Sequence, residues 1–227
     1  KDLLDPFTLK DIETAVSLIL ETIEAGKSIV VYGDYDVDGI TATSLLYRFL
    51  VKMGARVSYY IPERQSEGYG LNLEALEHII SDGASLVITV DCGISSYDIV
   101  EAVCDRIDII ITDHHTAPPQ IPPARAVINH KQPDCPYRDK NLSGVGVAFK
   151  LCQALWLRQC GEWYLDDLDI VALGTVADVV PLVGENRIIV KAGLEKMNSH
   201  PNLGIKKLID VAGLHERTIT SGHIGFT

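Results

Sequence analysis

Three short, almost wholly apolar runs stop on an aspartate, and they restrict the fold more than any other feature of the sequence. They are SIVVY at 28–32, SLVITV at 85–90 and DIIIT at 108–112, closing on Asp34, Asp91 and Asp113. Segments of about five β-branched and aliphatic residues with no polar alternation suit strands buried on both faces, as in a parallel sheet. Between them lie stretches with helical spacing. Residues 8–25 put Ile12, Val16, Ile19, Leu20 and Ile23 on one face before Gly26, 73–81 and 95–105 read as helices, and a further helix runs to about Met53, with Thr41 able to cap it. Residues 57–61 and 125–129 read as further strands. Alternating strands and helices predict an α/β fold, a mostly parallel sheet with flanking helices and right-handed crossovers.

From Ser143 the texture changes. GVGVAFKLCQALWLRQ, LDDLDIVALGTVADVV and NRIIVKAGLEKM predict successive helices, so the chain divides into an α/β part, 1–142, and a helical continuation, 143–227. No internal repeat or low-complexity tract interrupts either part. The last residues, TITSGHIGFT, carry no terminal signal, and the reading expects a chain that continues.

In an open parallel sheet the carboxyl ends of the strands share one edge, where ligands bind. Asp34, Asp91 and Asp113 therefore come to one rim, and Asp36, Asp38, His114 and His115 come with them. If 34–38 is extended, its three aspartates point to one side. Carboxylates gathered so closely repel strongly unless cations neutralise them. Oxygen ligands favour Mg²⁺ or Mn²⁺, and histidine is a ligand that Mn²⁺ accepts. His114 is the expected ligand. Adjacent residues in extended backbone diverge, so His115 is expected to bond a substrate oxygen or donate a proton. Two such ions, bridged by a carboxylate, suit the in-line displacement of a phosphoryl group.

Other chemistries fit less well. Ser143 and the histidines could supply a Ser-His-Asp set, but no GxSxG elbow is present. The GVG at 144–146 lacks a third glycine and follows no apolar strand, so dinucleotide binding is weaker still. The formal net charge of -11 excludes a generally basic nucleic-acid-binding surface. It leaves room for a nucleic-acid enzyme whose carboxylates surround cations. Five cysteines without a CxxC pair point to reduced thiols rather than a disulfide frame or zinc site. No apolar run approaches a membrane span and KDLLDPF has no signal-like pattern, so the cytoplasm is expected and a membrane is not.

The motifs DYDVDG, VDCG, TDHH and GTVADVVPL, in that order, resemble motifs I to IV of the DHH phosphoesterase superfamily. The surrounding text, including DPFTLKDIETAV, YYIPERQSEGYGLN, INHKQPDCPY and LSGVGVAFKL, is similar to its RecJ-type branch of single-strand exonucleases nearly end to end. The resemblance implies Asp36, Asp38, Asp91, His114 and Asp178 as ligands of two divalent ions, Mn²⁺ or Mg²⁺, with Asp91 as the bridge. Asp178 is implied by the resemblance alone, since periodicity would have made its stretch core. His115 is implied at the scissile phosphate, with Asp113 supporting the histidine pair. Related inorganic pyrophosphatases carry a histidine where this chain has Tyr32, and Asp34 is the candidate for part of that role.

The implied activity is removal of mononucleotides from the 5′ end of single-stranded DNA, in DNA repair and recombination. The implied partners are a single-strand-binding protein and a recombination helicase, and family members continue into a second, DHHA1-like domain. In the polar loop 62–72, Arg64 is the candidate for a substrate phosphate and Tyr69 for stacking on a base. The same superfamily also offers oligoribonucleotides, cyclic dinucleotides or bisphosphorylated nucleotides as substrates, and some relatives are non-catalytic replication scaffolds.

Overall fold

A computed structural model describes residues 3–63, 68 and 70–226. After a 3-10 turn at Pro6–Thr8 come α1 (Ile12–Glu24), β1 (Ser28–Tyr32), α2 (Val37–Lys52) and β2 (Arg56–Tyr60). The α/β part continues with α3 (Leu73–Ser81), β3 (Leu86–Val90), α4 (Tyr97–Val103), β4 (Asp108–Thr112) and β5 (Ala126–Ile128). Then follow α5 (Gly144–Cys160), α6 (Leu168–Ala177), α7 (Gly184–Ser199), α8 (Leu203–Val211) and α9 (Ser221–Phe226).

The five strands form one sheet in the order β2-β1-β3-β4-β5, with every pairing parallel. The α/β sheet with flanking helices expected from the sequence is therefore the observed architecture. Its strands bury both faces. Ile29, Val31, Leu86, Ile88, Ile110 and Ile128 pack with α1, α2 and α5, while Val30, Tyr32, Val87, Ile109 and Ile111 pack with α3 and α4. This two-sided burial explains why the strands lack polar alternation. β2 stands at the sheet edge and is only partly covered.

The chain passes from β1 outward to β2, then returns across β1 to β3. The strand order thus reverses between β1 and β3, which opens a crevice at their carboxyl ends. The three strands that end in aspartates, β1, β3 and β4, are spatial neighbours at the centre of the sheet.

The first turn of α2 differs from the sequence-based expectation. The helix starts at Val37, with Asp36 as its N-cap accepting from the Gly39 amide at 2.9 Å, and Thr41 lies inside it, donating to the Val37 carbonyl. A short acceptor at the N-cap satisfies one of the amides a helix leaves open. Asp36 and Asp38 are therefore related by a helical turn and not by an extended strand. In the helical part, α5 is buried from Gly144 to Leu155 and packs against α1, α2 and α6. Its Lys150 makes a buried ion pair with Glu185 of α7 at 2.9 Å, and Tyr137 also donates to Glu185.

Candidate metal centre

The rim crevice collects side chains from five places in the chain. Asp34 follows β1, Asp36 and Asp38 open α2, Asp91 follows β3, Asp113 to His115 follow β4, and Asp178 caps the end of α6. Their ligand-type atoms fall into overlapping groups, each within 4.8 Å: Asp34, Asp36 and Asp91; Asp38, His114 and Asp178; and Asp91, His114 and His115. Asp91 and His114 are the shared members. His114 Nε2 lies 3.2 Å from Asp91 Oδ1, 3.7 Å from Asp178 Oδ2 and 3.9 Å from Asp38 Oδ2. The three aspartates of the first motif thus do not meet at one point. Asp34 and Asp36 group with Asp91, while Asp38 groups with His114 and Asp178.

Each side chain is aimed by a local device. Asp38 is buried, and its two oxygens accept from the Gly144 and Val145 amides at 2.6 and 2.9 Å. The N-terminus of α5 thereby holds a carboxylate that opens α2, and helix N-termini favour negative charge. Gly144 also makes room for Asp91, since a Cβ there would lie 2.4 Å from Asp91 Oδ1. Asp91 itself takes a left-handed backbone, φ +60°, as the chain leaves β3. Asp113 Oδ1 accepts from the amides of His114 and His115 and contacts His115 Nδ1 at 2.7 Å, while Oδ2 accepts from the Ile94 amide.

His115 departs from one expectation. β4 ends at Thr112, so the two histidines do not follow extended geometry; their ring centroids are 4.5 Å apart and both reach the Asp91 group. His115 Nδ1 is engaged by Asp113, so Nε2 is the nitrogen placed to meet a ligand.

The electrostatics are those of a carboxylate set without cations. Burial pushes the Asp91 carboxyl up to about 9, with Asp36 and Asp113 adding repulsion. Burial also raises Asp38, Asp34 and Asp178, and lowers His114. His115 moves the other way, up to about 9, because it hydrogen-bonds Asp113. Asp113 lies below the usual carboxylate range: its burial opposes ionisation, but the His115 hydrogen bond and charge outweigh it. Asp34 Oδ2 and Asp178 Oδ2 are buried with no hydrogen-bond partner among the described residues. Unsatisfied buried carboxylate oxygens, close acidic neighbours and an imidazole are the donor set that hard or borderline divalent cations take. The residues present fit a pair of such ions.

Of the site residues expected from the sequence, Asp34, Asp36, Asp38, Asp91, Asp113, His114, His115 and Asp178 are brought to the rim. Arg64 and Tyr69 lie outside the described residues. Sequence reasoning missed the Gly144 and Val145 amides, although the Ser143-x-x-Gly146 cap at the start of α5 marks that helix end. It also missed Asn129, whose amide donates to the His115 carbonyl at 2.9 Å.

The family model described as "DHH family, N-terminal domain" matches residues 28–175. The single-stranded-DNA-specific exonuclease RecJ of Bacillus subtilis is 45% identical over 93% of this chain and 27% of its own length. Its counterpart from Haemophilus influenzae is 40% identical over 100% of this chain and 41% of its own length. A crystal structure of exonuclease RecJ bound to manganese superposes with a TM-score of 0.86 at 36% identity, covering 96% of this chain and 55% of that one. The chain thus spans well under half the length of these two curated relatives.

Proposed function

The chain belongs to the DHH family, and from that premise we propose that its rim cluster is a two-metal centre that hydrolyses single-stranded DNA from the 5′ end, releasing mononucleotides. The observation that carries the reading is the set of three ligand groups linked through Asp91 and His114. In this reading Asp36, Asp38, Asp91, His114 and Asp178 would hold two Mn²⁺ or Mg²⁺ ions, Asp91 being the carboxylate common to two of the ligand groups. Support comes from relatives named as single-stranded-DNA-specific exonucleases and from a relative's structure with manganese.

When bound, the ions supply a nucleophilic water near neutral pH and offset the charge of the phosphodiester. The protein's own groups do the rest. Asp38 is locked by two backbone amides, so its position does not depend on the substrate. The Asp113 carboxylate at His115 Nδ1 favours the protonated imidazole, the form that would donate to a phosphate oxygen. Asp34 adds negative charge beside Asp36 and Asp91, and its Oδ2 has no hydrogen bond among the described residues. Water adds at phosphorus, the P–O3′ bond breaks, and the leaving oxygen takes a proton. Arg64 and Tyr69, in the stretch of sequence after β2, take a phosphate and a base.

The α/β part, 1–142, carries the first three motifs and the helical part, 143–227, the fourth; the Asp38 carboxylate on α5 supports treating them as one catalytic unit. All five cysteines are free thiols and no described helix is long and apolar enough to cross a membrane, in keeping with a cytoplasmic enzyme. A single-strand-binding protein and a recombination helicase are the partners the family likeness suggests.

The test is hydrolysis of a 5′-labelled 20-mer DNA in Mn²⁺, beside small dinucleotides and a labelled oligoribonucleotide. Early release of labelled mononucleotide from the DNA, stopped by chelation and restored by Mn²⁺, is expected. Preference for the dinucleotide or the RNA would replace the substrate. No Mn²⁺-dependent hydrolysis of any of them would overturn the reading.

A further inference from the structure

His130 is fully buried, and neither of its ring nitrogens has a hydrogen-bond partner among the described residues. Such a side chain is unusual, because buried polar atoms are nearly always paired. Its place in the fold is informative. β4 and β5 pair in parallel with Thr112 opposite Ile128. Beyond the strand ends the two chains stay together: the Asp113 amide donates to the Ile128 carbonyl at 3.1 Å, and the Asn129 side chain reaches the His115 carbonyl. The register carried two residues past the last pair would bring His130 alongside His114, and the two rings are close enough to interact through their charges. Lys140 fixes the backbone there by donating to the His130 carbonyl.

His114 presents the complementary need. Its Nε2 faces Asp91, Asp178 and Asp38, while its Nδ1 is buried with no partner among the described residues. An imidazole that gives Nε2 to a metal carries its proton on Nδ1, and that proton is ordinarily held by an acceptor which fixes the tautomer and ring angle. We propose that His130 is that acceptor: a positioning residue whose ring holds the Nδ1 edge of His114 through one bridging water, and so sets the angle at which Nε2 would meet a metal. The inference rests on the metal reading of the rim. A neutral ring is needed, since a protonated one has no acceptor nitrogen. The environment supplies it: burial, followed by the charge of Lys131, pushes His130 down to about 4, and His114 itself is among the smaller contributors.

The experiment compares wild type with His130→Leu, which removes the acceptor, and His130→Asn, which keeps one. Mn²⁺ affinity is read by electron paramagnetic resonance, and the His114 Nδ1 proton by NMR of the zinc-loaded, diamagnetic protein. His130→Leu is expected to weaken Mn²⁺ binding about 10- to 100-fold and to lose the Nδ1 proton signal, while His130→Asn stays within about threefold of wild type. If His130→Leu does not fold, the wild-type spectrum decides: a slowly exchanging Nδ1 proton on His114 supports the proposal, and its absence sinks it. Equal Mn²⁺ affinity in wild type and a folded His130→Leu also overturns it. Failure of wild type to bind Mn²⁺ would instead refute the metal centre on which it rests.

Discussion

Replacing Asp91 with asparagine should make the metal-free protein more stable and at the same time remove its metal site. Asp91 is buried, and its carboxyl is pushed up to about 9. Below about pH 4 the folded and unfolded chains both hold its proton, and this group costs nothing. Above that the unfolded chain ionises while the folded one keeps its proton, so wild-type stability falls as pH rises, and the loss levels off only near 9. At pH 7 the gap spans about three pKa units, a ceiling of about 4 kcal/mol at 1.36 kcal/mol per unit.

Asparagine does not titrate, fills nearly the same volume beside Gly144, and tolerates the left-handed backbone at φ +60° that alanine would strain. If half the ceiling is realised, the melting temperature in EDTA rises by about 4–8 °C at pH 7. The gain should widen between pH 5 and pH 8. Saturating Mn²⁺ should reverse the ranking, because at a hundredfold excess over Kd a cation adds about 2.7 kcal/mol to wild type alone. The assay is a set of thermal melts at pH 5, 7 and 8, with EDTA and with Mn²⁺. An Asp91→Asn protein that melts below wild type in EDTA at pH 8, or that gains as much from Mn²⁺, would refute the claim that the rim is an uncompensated carboxylate cluster.

Three further perturbations separate the parts of the site. In Gly144→Ala the new Cβ would lie 2.6 Å from the Cβ of Asp91, so Mn²⁺ affinity should drop about tenfold or more while circular dichroism stays helical; unchanged affinity by calorimetry would show that Asp91 need not sit there. In the metal-free protein His115 should titrate near 9 and, in Asp113→Asn, fall back toward the ordinary histidine range, as followed by NMR of the ring; an unmoved pKa would remove Asp113 as its partner. Lys150→Met leaves Glu185 buried without its cation, which should cost about 3–5 kcal/mol, or about 6–20 °C in melting temperature; a loss under 3 °C would mean that the hydrogen bonds Glu185 accepts from the Tyr137 hydroxyl and, at 2.8 Å, from the Leu4 amide suffice for it.

The sheet was legible because strands buried on both faces leave an unmistakable trace: β1 and β4 are bounded by the residues that bound their apolar runs. Grouping the strand-end aspartates at one rim followed from parallel topology alone. The start of α2 was not legible, since Asp36-Val37-Asp38 alternates like a strand while folding as a cap and a first turn. The available signal was Asp36 three residues before Gly39, an N-cap spacing. Asp178 was hidden for another reason. Pro181 marks the end of the helix only loosely, to within a turn, and the residue that stops α6 is Val179, whose φ of +59° no β-branched preference announces.

That conformation is itself part of the case for the site. Three non-glycine residues take the left-handed region among the described residues: Asp11, Asp91 and Val179. Asp11 is at a helix start, where aspartate tolerates it, and its side chain accepts from the Val127 amide of β5. The other two belong to the rim: Asp91 is the carboxylate shared between ligand groups, and Val179, β-branched and 85% exposed, follows Asp178. For a β-branched residue the left-handed region is a real strain, and nothing in its own burial repays it. What the turn achieves is to stop α6 at the residue whose carboxylate lies 3.7 Å from His114 Nε2. Left-handed backbone at Asp91 and at the residue after Asp178, the second of them a strained valine, is what a fold shows when it must aim two carboxylates of one cluster at a common charge.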